Sequence, residues 1–504
     1  MDKKEINLRA SLTLSYCLIS LLFCSVLFAD FIPSTLFGSY ADQRVLLVLS
    51  LSLLAVIGLT WSVHNNALTV SVKALWPFLF FSFSLLIAAF QNRSGPYSLV
   101  EPVFFILYFV AFGLIGDAIG RFDCARKYAL AVVTVAIVAC FFYAAMSVTV
   151  YLFAITDDSS RLDQLIPWGF FSIRYWSHIA TWLVPLFPLA LLCIPWNSNR
   201  TWRWGVASTA AIWWWIIFLS SSRGSMFGLV FCFLLIWGVF GKSSFPWMKL
   251  FARFAIYGLL VWFLLSVLIP SFVFDEIHVR GIKTNSSGRL SLWHEAWIMS
   301  LEKFPFGMGP QSWLTHDILT ETYRSSSRFG HPHNMYLMWA AEYGWIAIGG
   351  LLILVGVALR RLWHKIKGLR NGDHHNGFLL VGFTASVTAA LVHAGASAVF
   401  MAPGSMLVGL PVLCVFWALI SPYQSTVPVS SARQKFVTST FAGYAIVIVF
   451  AAACMLWFQD VLDYRQAMAD DIPYYQEEVR QGKLPRFWLH GNFPRHQSQM
   501  SPES

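Results

Sequence analysis

The chain has 504 residues, of which 57% are hydrophobic and 12% charged, with a formal net charge of +10. An ordinary soluble domain carries about 25% charged residues, so this chain lacks the polar groups to cover a soluble surface. That excludes a secreted disulfide scaffold, a disordered chain and a soluble nucleic-acid binder, and leaves lipid as the solvent for most of the sequence.

Apolar runs long enough to cross about 30 Å of hydrocarbon as helices follow one another at 10–29, 45–63, 73–90, 99–120, 128–154, 178–194, 203–220, 225–241, 252–270, 335–359, 378–400, 405–420 and 436–457. The runs are continuous rather than alternating, which predicts an all-α polytopic membrane protein of about 12–13 transmembrane helices, not a barrel. On this reading residues 1–270 hold the first nine spans and 271–334 form a long outer loop. Spans ten to thirteen then occupy 335–457, and 458–504 form a polar tail. The first run follows Lys3 and Lys4 but has no clear small-x-small cleavage site, so it is read as a retained anchor rather than a signal peptide.

The basic residues orient the chain. With the N-terminus in the cytoplasm, 19 of the 35 Lys and Arg residues fall on cytoplasmic loops and five on short outer loops. The rest lie in 271–334 and the tail, which the positive-inside rule weighs little. The surplus positive charge is therefore mainly topogenic. Thirteen spans place the tail outside; one span fewer would place it in the cytoplasm. The eight cysteines lie in spans or beside a cytoplasmic loop, so neither a disulfide framework nor a cysteine metal site is expected.

Unusual residues gather in and around the long loop. It contains Ser287-Gly288-Arg289, Leu292-Trp293, Phe304-Pro305-Phe306-Gly307-Met308-Gly309-Pro310 and His331-Pro332-His333-Asn334. Leu290, Trp293, Trp297 and Leu301 recur at helical spacing, which predicts an amphipathic helix over 289–303 on the membrane surface. The Phe-Pro-Phe-Gly-Met-Gly-Pro run forces turns. Arg223 interrupts apolar sequence within Ser220-Ser221-Ser222-Arg223-Gly224-Ser225, on the same outer face as His333. An Arg near hydrocarbon depth costs about 3 kcal/mol unless it snorkels or meets an anion. Its fork suits a phosphate.

Each residue has two readings at this point. Arg223 is a snorkelling anchor or an anion ligand; Arg289 is a solvated face or a second cation for the same anion. His331 and His333 could bind metal, with His316, Asp317 and Glu321 nearby, but no third and fourth ligand has matching spacing. Glu342, about 10 Å into its span, is functional, neutral or paired. His393 is an interhelical donor or a catalyst. Trp213, Trp214 and Trp215 face lipid or pack.

Together these pieces resemble the O-antigen ligase and O-antigen polymerase superfamily, which includes the bacterial protein O-oligosaccharyltransferases. The carrying features are S-G-R-L-x-L-W-x-x-A-W at 287–297, F-P-x-G-x-G-P at 304–310 and H-x-H-N at 331–334. The ligase signature of that family is His, then Asn, Ser or Gln, nine residues, then Gly-x-x-Gly. Here His333-Asn334 is followed by 335–343 and by Gly344-Trp345-Ile346-Ala347, where Ala347 departs from the pattern. Ser222-Arg223-Gly224 also looks like the family's motif at the outer end of a span.

The resemblance implies a C-type glycosyltransferase-like fold in the bacterial inner membrane. It further implies a glycan donor on undecaprenyl diphosphate, chemistry on the periplasmic side, and no cofactor or metal. Arg223 and Arg289 would then meet the diphosphate. His333 would be the general base for an acceptor hydroxyl, with Asn334 orienting His333 or the acceptor, His331 a lesser candidate for the base and Glu342 an intramembrane support. The acceptor would be lipid A-core in a ligase, a growing glycan in a polymerase, or a protein hydroxyl. A transporter of lipid-linked glycan is the reading from another class, and it expects charges through a central cavity and alternating-access repeats. A membrane anchor or assembly protein would need none of these residues. Their gathering at one outer face favours an enzyme.

Overall fold

A computed structural model describes residues 3–32, 40–65, 68–91, 97–121, 124–157, 159, 161–170, 172–274, 288–327, 329–369, 374–421, 436–477 and 485–489. The first helices are α1 (Lys3–Leu27), α2 (Tyr40–His64), α3 (Leu68–Gln91), α4 (Val100–Arg121), α5 (Ala125–Thr156) and the single turn α6 (Leu162–Leu165). Next come α7 (Ile173–Leu183), α8 (Phe187–Leu192), α9 (Arg200–Ser220), α10 (Arg223–Phe240), α11 (Phe245–Phe263) and α12 (Ile269–Val273). Then follow α13 (Arg289–Glu302), α14 (Glu321–Arg324), α15 (Met335–Leu369), α16 (His374–Ala394), α17 (Pro403–Ile420) and α18 (Phe436–Glu477).

The chain is an all-α polytopic membrane protein. Among the described residues nine helical stretches are long and apolar enough to cross a membrane, and Thr13–Leu27 and Leu75–Gln91 are shorter apolar helices. One of the nine, Arg223–Val273, takes in both α10 and α11. The Trp-rich α9, which opens on Arg200 and Arg203, is helical but not among the nine. Each predicted apolar run coincides with helix over most of its length.

Two compact units are present. The first comprises Met1–Ser39, Ile119–Thr284 and Arg361–Pro422. Its centre is α17, where nearly every side chain from Pro403 to Ile420 is buried. A helix apolar on all sides suits either a protein core or lipid; here it is enclosed by protein, α17 packing against α1, α5, α7 and α16. The Trp213-Trp214-Trp215 run is packing material: all three are buried. The polar edges of two of them are used, Trp213 Nε1 donating to the Cys140 carbonyl at 3.0 Å and Trp215 Nε1 to Ser266 Oγ at 2.8 Å.

The second unit comprises Tyr40–Ala118, Asn285–Arg360 and Tyr423–Ser504. Phe105 and Phe109 of α4 stack edgewise on Trp339 of α15, with ring centroids 5.4 and 6.4 Å apart. The last helix outruns its predicted apolar segment, which ended at 457. Val461, Tyr464 and Met468 continue a buried stripe at spacings of three and four residues, so α18 stays packed against α2 although its outer face is polar. The residues beyond 489 lie outside the described ones.

In the first unit α11 approaches α9 so closely that a Cβ on Gly258 would lie 2.1 Å from Trp214 Cβ. Gly258→Ala is therefore expected to destabilise the protein by about 1–3 kcal/mol, read as a lower unfolding midpoint in detergent. Gly238→Ala on α10, with nothing within 4 Å, is the control and should not lower it. An unchanged midpoint for Gly258→Ala would contradict this packing.

Candidate active site

The segment of the second unit that carries α13 and α14 is a folded piece with its own apolar core rather than a bare loop. The predicted amphipathic helix forms as α13, but the face buried in the protein differs from the predicted stripe. Leu292, Ala296 and Met299 are buried in a cluster with Trp313, Tyr323 and Ala341. Leu290, Trp297 and Leu301 are exposed. Both faces of α13 are apolar, and the one that meets Trp313 and Tyr323 is covered. Arg289 is the first residue of α13, after Gly288 in a left-handed conformation (φ 73°), and is half-buried. Ser287 lies outside the described residues.

Glu295, also on α13, is a buried carboxylate with every approach filled. It accepts from the backbone N–H of Leu319 at 2.7 Å and of Thr320 at 2.9 Å. Thr320 Oγ1 donates to it at 2.5 Å, and His316 Nε2 lies 2.9 Å away. His316 is thus committed to folding the segment that carries α13 and α14.

The polypeptide of α15 is broken at Gly344, which has φ 78° and ψ 175°. A break in a membrane-level helix leaves carbonyls without their usual donors, a cost of several kcal/mol each if nothing replaces them. The turn after α13 replaces them. Met308 N–H donates to the Ala341 carbonyl at 2.8 Å and Gly309 N–H to that of Glu342 at 2.9 Å. In return Ile346 N–H donates to the Pro305 carbonyl at 3.3 Å. The fit tolerates no side chain. A Cβ on Gly344 would lie 2.1 Å from the Pro305 carbonyl oxygen, and one on Gly307 would lie 2.5 Å from Gly344 N. The 304–310 run and the glycine that follows the His-Asn pair are therefore two halves of one backbone joint. Ala347, the departure from the family pattern, is buried within the helix beyond the break.

The histidine turn sits immediately before α15. His331 and His333 are both buried, their ring centroids 4.3 Å apart, and Phe329 packs on His333 at 5.0 Å. His333 has φ 56°, a left-handed conformation costing about 1 kcal/mol for a residue with a Cβ. Such outliers persist where the surroundings impose them, and they cluster at functional sites. The His333 backbone N–H donates to His331 Nδ1 at 3.1 Å. A backbone N–H can only donate, so His331 Nδ1 carries no proton in this arrangement. The imidazole of His331 thereby helps to hold the backbone of His333.

Asn334 caps α15. Its Oδ1 accepts from the N–H groups of Tyr336 and Leu337, each at 3.1 Å. A side-chain oxygen on the first free amides is the ordinary helix N-cap, and Ser, another residue of the family signature at this place, can do the same. Asn334 therefore fixes where the turn ends and the helix begins.

Glu342 is fully buried two residues before the break and is paired. Arg486, from the C-terminal segment, donates through Nη2 to Glu342 Oε2 and lies 3.0 Å from Glu101 Oε1. Its Nε also donates to Glu101 Oε2 at 3.2 Å, and its Nη1 to the Gly330 carbonyl at 3.4 Å. Trp313 N–H donates to the other oxygen of Glu342 at 3.2 Å. Burial of Arg486 works against its charge, but Glu101 and Glu342 outweigh that and raise its pKa. Removing one partner from such a buried ionic set costs about 3–5 kcal/mol, because the remaining charge is left uncompensated.

Arg223 belongs to the first unit. Ser221 ends α9 in a left-handed conformation (φ 48°), and Arg223 opens α10 with its side chain exposed. Gly224 allows close packing, since a Cβ there would lie 2.6 Å from His393 Nε2. Ser225 Oγ donates to the Ser177 carbonyl at 3.2 Å. His393 is an interhelical hydrogen-bonding residue: its Nδ1 lies 2.9 Å from Thr181 Oγ1. The Thr181 hydroxyl spends its proton on the Ser177 carbonyl at 2.8 Å, so His393 Nδ1 is the donor. His178 stands beside it, with ring centroids 5.1 Å apart, and meets Ser397 Oγ at 2.7 Å.

The structure thus brings His331, His333 and Asn334 into one turn and links that turn to Glu342 through Arg486. Arg289 lies on the helix whose core packs on Ala341 of the same unit.

Residues 207–355 match the family model described as O-antigen ligase. The resemblance read from the sequence is supported over that region. The chain matches no curated protein. Sequence reasoning missed Arg486, Glu101 and Glu295. The Phe487-Trp488-Leu489 patch in a polar tail was the available sign that this segment is buried, and it named no partner.

Substitutions at two positions test this architecture. Gly344→Ala meets backbone atoms and a left-handed φ together, and is expected to destabilise by more than the about 1 kcal/mol of the backbone penalty alone. The measurement is the unfolding midpoint, and a wild-type value would contradict the joint. Asn334→Ala should cost about 1 kcal/mol as a lost cap, whereas Asn334→Ser should retain most of the stability. Equal loss in both would contradict the capping role.

Proposed function

We propose that the protein is a glycan transferase of the O-antigen ligase or polymerase type, acting on a polyprenyl-diphosphate-linked donor at the periplasmic face of the bacterial inner membrane. The observation that carries this reading is one of position. Arg223, Arg289, His331, His333, Asn334 and Glu342 were singled out by their chemistry, and all fall inside the matched stretch 207–355.

In this reading the acceptor hydroxyl oxygen attacks the anomeric carbon of the donor glycan. The bond from that carbon to the diphosphate breaks, and the anomeric centre inverts. His333 accepts the hydroxyl proton, a task suited to an imidazole near neutral pH. A diphosphate leaves without protonation by a carboxylic acid of the kind glycosidases use. Its developing charge needs fixed positive groups, a role assigned to Arg223 and Arg289 without a metal ion. His331, Asn334 and Glu342 support the geometry of the turn. Ligation to a lipid A-core hydroxyl is the first acceptor choice, ahead of glycan extension and of transfer to a protein hydroxyl. Transport of lipid-linked glycan has no comparable support from the residues.

His333→Ala and Arg223→Ala are expected to abolish glycan transfer while the protein inserts normally, measured by membrane fractionation and by the surface glycan profile. Full activity of both variants would overturn the reading. A deletion strain identifies the acceptor. Unmodified core with long lipid-linked glycan marks a ligase, core with one repeat unit a polymerase, and loss of protein glycan an oligosaccharyltransferase. Donor trapped on the cytoplasmic side would mark a transporter instead.

A further inference from the structure

The C-terminal segment 485–489 is built into the second unit from both sides of its backbone. Tyr40 Oη donates to the Arg486 carbonyl at 2.8 Å, and Arg44 Nε to the Phe487 carbonyl at 3.0 Å. The Phe487 ring stacks on Tyr464 at 6.0 Å and meets Phe104 edgewise at 5.5 Å. The Arg44 guanidinium lies over the Phe487 ring at 4.8 Å. Arg486 is therefore not a long side chain searching for partners; the segment that carries it is held by contacts of its own.

From that seat one guanidinium reaches three separate pieces of chain: Glu101 on α4, Glu342 beside the break in α15, and the carbonyl of Gly330. Gly330 directly precedes His331. The histidine turn is thus clamped at one end by Arg486 and at the other by Asn334 capping α15, with left-handed His333 between them. The planar fork of Arg, with donors on three nitrogens, can span these acceptors at once, and the single ammonium of Lys cannot.

We propose that Arg486 is a positioning residue for the His331–His333 turn, so that the C-terminal segment is a working part of the candidate active site. Where it concerns catalysis, the inference rests on the glycan-transfer reading. Loss of the clamp lets the turn shift. A displacement of about 1 Å at a catalytic group can cost about a hundredfold in rate.

The test uses the full-length protein in detergent, with Arg486→Met and Arg486→Lys, labelled with diethyl pyrocarbonate and mapped by mass spectrometry. In Arg486→Met, the labelling rates of His331 and His333 should rise several-fold, while His316, held by Glu295, stays at its wild-type rate. In the transfer assay kcat should fall by about a hundredfold with the donor KM changed less, and Arg486→Lys should be intermediate on both measures. Wild-type labelling of His331 and His333 in Arg486→Met would overturn the inference. If His316 also becomes reactive in that variant, Arg486→Lys decides. Selective labelling of the turn supports the clamp, and wild-type labelling with wild-type kcat overturns it. Labelling needs no glycan donor, so a wild-type protein that transfers no glycan overturns the functional reading alone.

Discussion

The broken backbone of α15 at Gly344 is the constraint on which the candidate site depends. At membrane depth a carbonyl that loses its helical donor has no water to replace it, so the break obliges another segment to supply N–H groups. Met308 and Gly309 supply them, and the Pro305 carbonyl takes the amide of Ile346 in exchange. Backbone must approach backbone for this to happen, and that explains glycine at both 307 and 344. Once the turn is pinned to the break, α13 and the core around Trp313 and Tyr323 follow, because they are continuous with it in sequence. The segment that carries α13 and α14 is held both by main-chain hydrogen bonds to α15 and by its apolar packing.

The break also gives the buried charge a place. Glu342 lies beside it and accepts from Arg486 and from the backbone N–H of Trp313, and the same Arg486 guanidinium also meets Glu101 at the start of α4. A buried ionic set of this kind is weak support for stability compared with apolar packing, but each member makes the others indispensable. Its value here is one of address. It ties the C-terminal segment, the first turn of α4 and the residue before His331 to one point. The left-handed backbone of His333 lies between that point and the Asn334 cap, and its N–H is held by His331 Nδ1.

Much of this was legible in the sequence, and for identifiable reasons. Lipid demands continuous apolar runs, so helices such as α5 and α17 could be placed from hydropathy alone. The His333-Asn334 pair and Gly344 were visible as a pattern, and their chemistry suggested a site. The division of labour within the pattern was not visible. Asn334 reads equally as an acceptor-binding amide or a helix cap until its neighbours are placed. The stripe of α13 that faces the protein could not be chosen by periodicity, because Leu290, Trp297 and Leu301 make the opposite face apolar as well. Arg486 pairs with carboxylates 144 and 385 positions away in the chain, and no local rule reports such a contact. The end of α18 was set too early because its packed stripe outlasts its apolar composition.

The direct test of the joint between the 304–310 turn and the broken helix is amide hydrogen exchange on the intact protein, with peptides resolving 304–310. Amides bonded across a packed joint open only with the structure they hold, whereas those of an unpinned turn exchange freely. The account predicts that Met308 and Gly309 exchange as slowly as the neighbouring amides of α15 before Gly344. Exchange of both at the rate of an unprotected turn, with α15 itself protected, would contradict it.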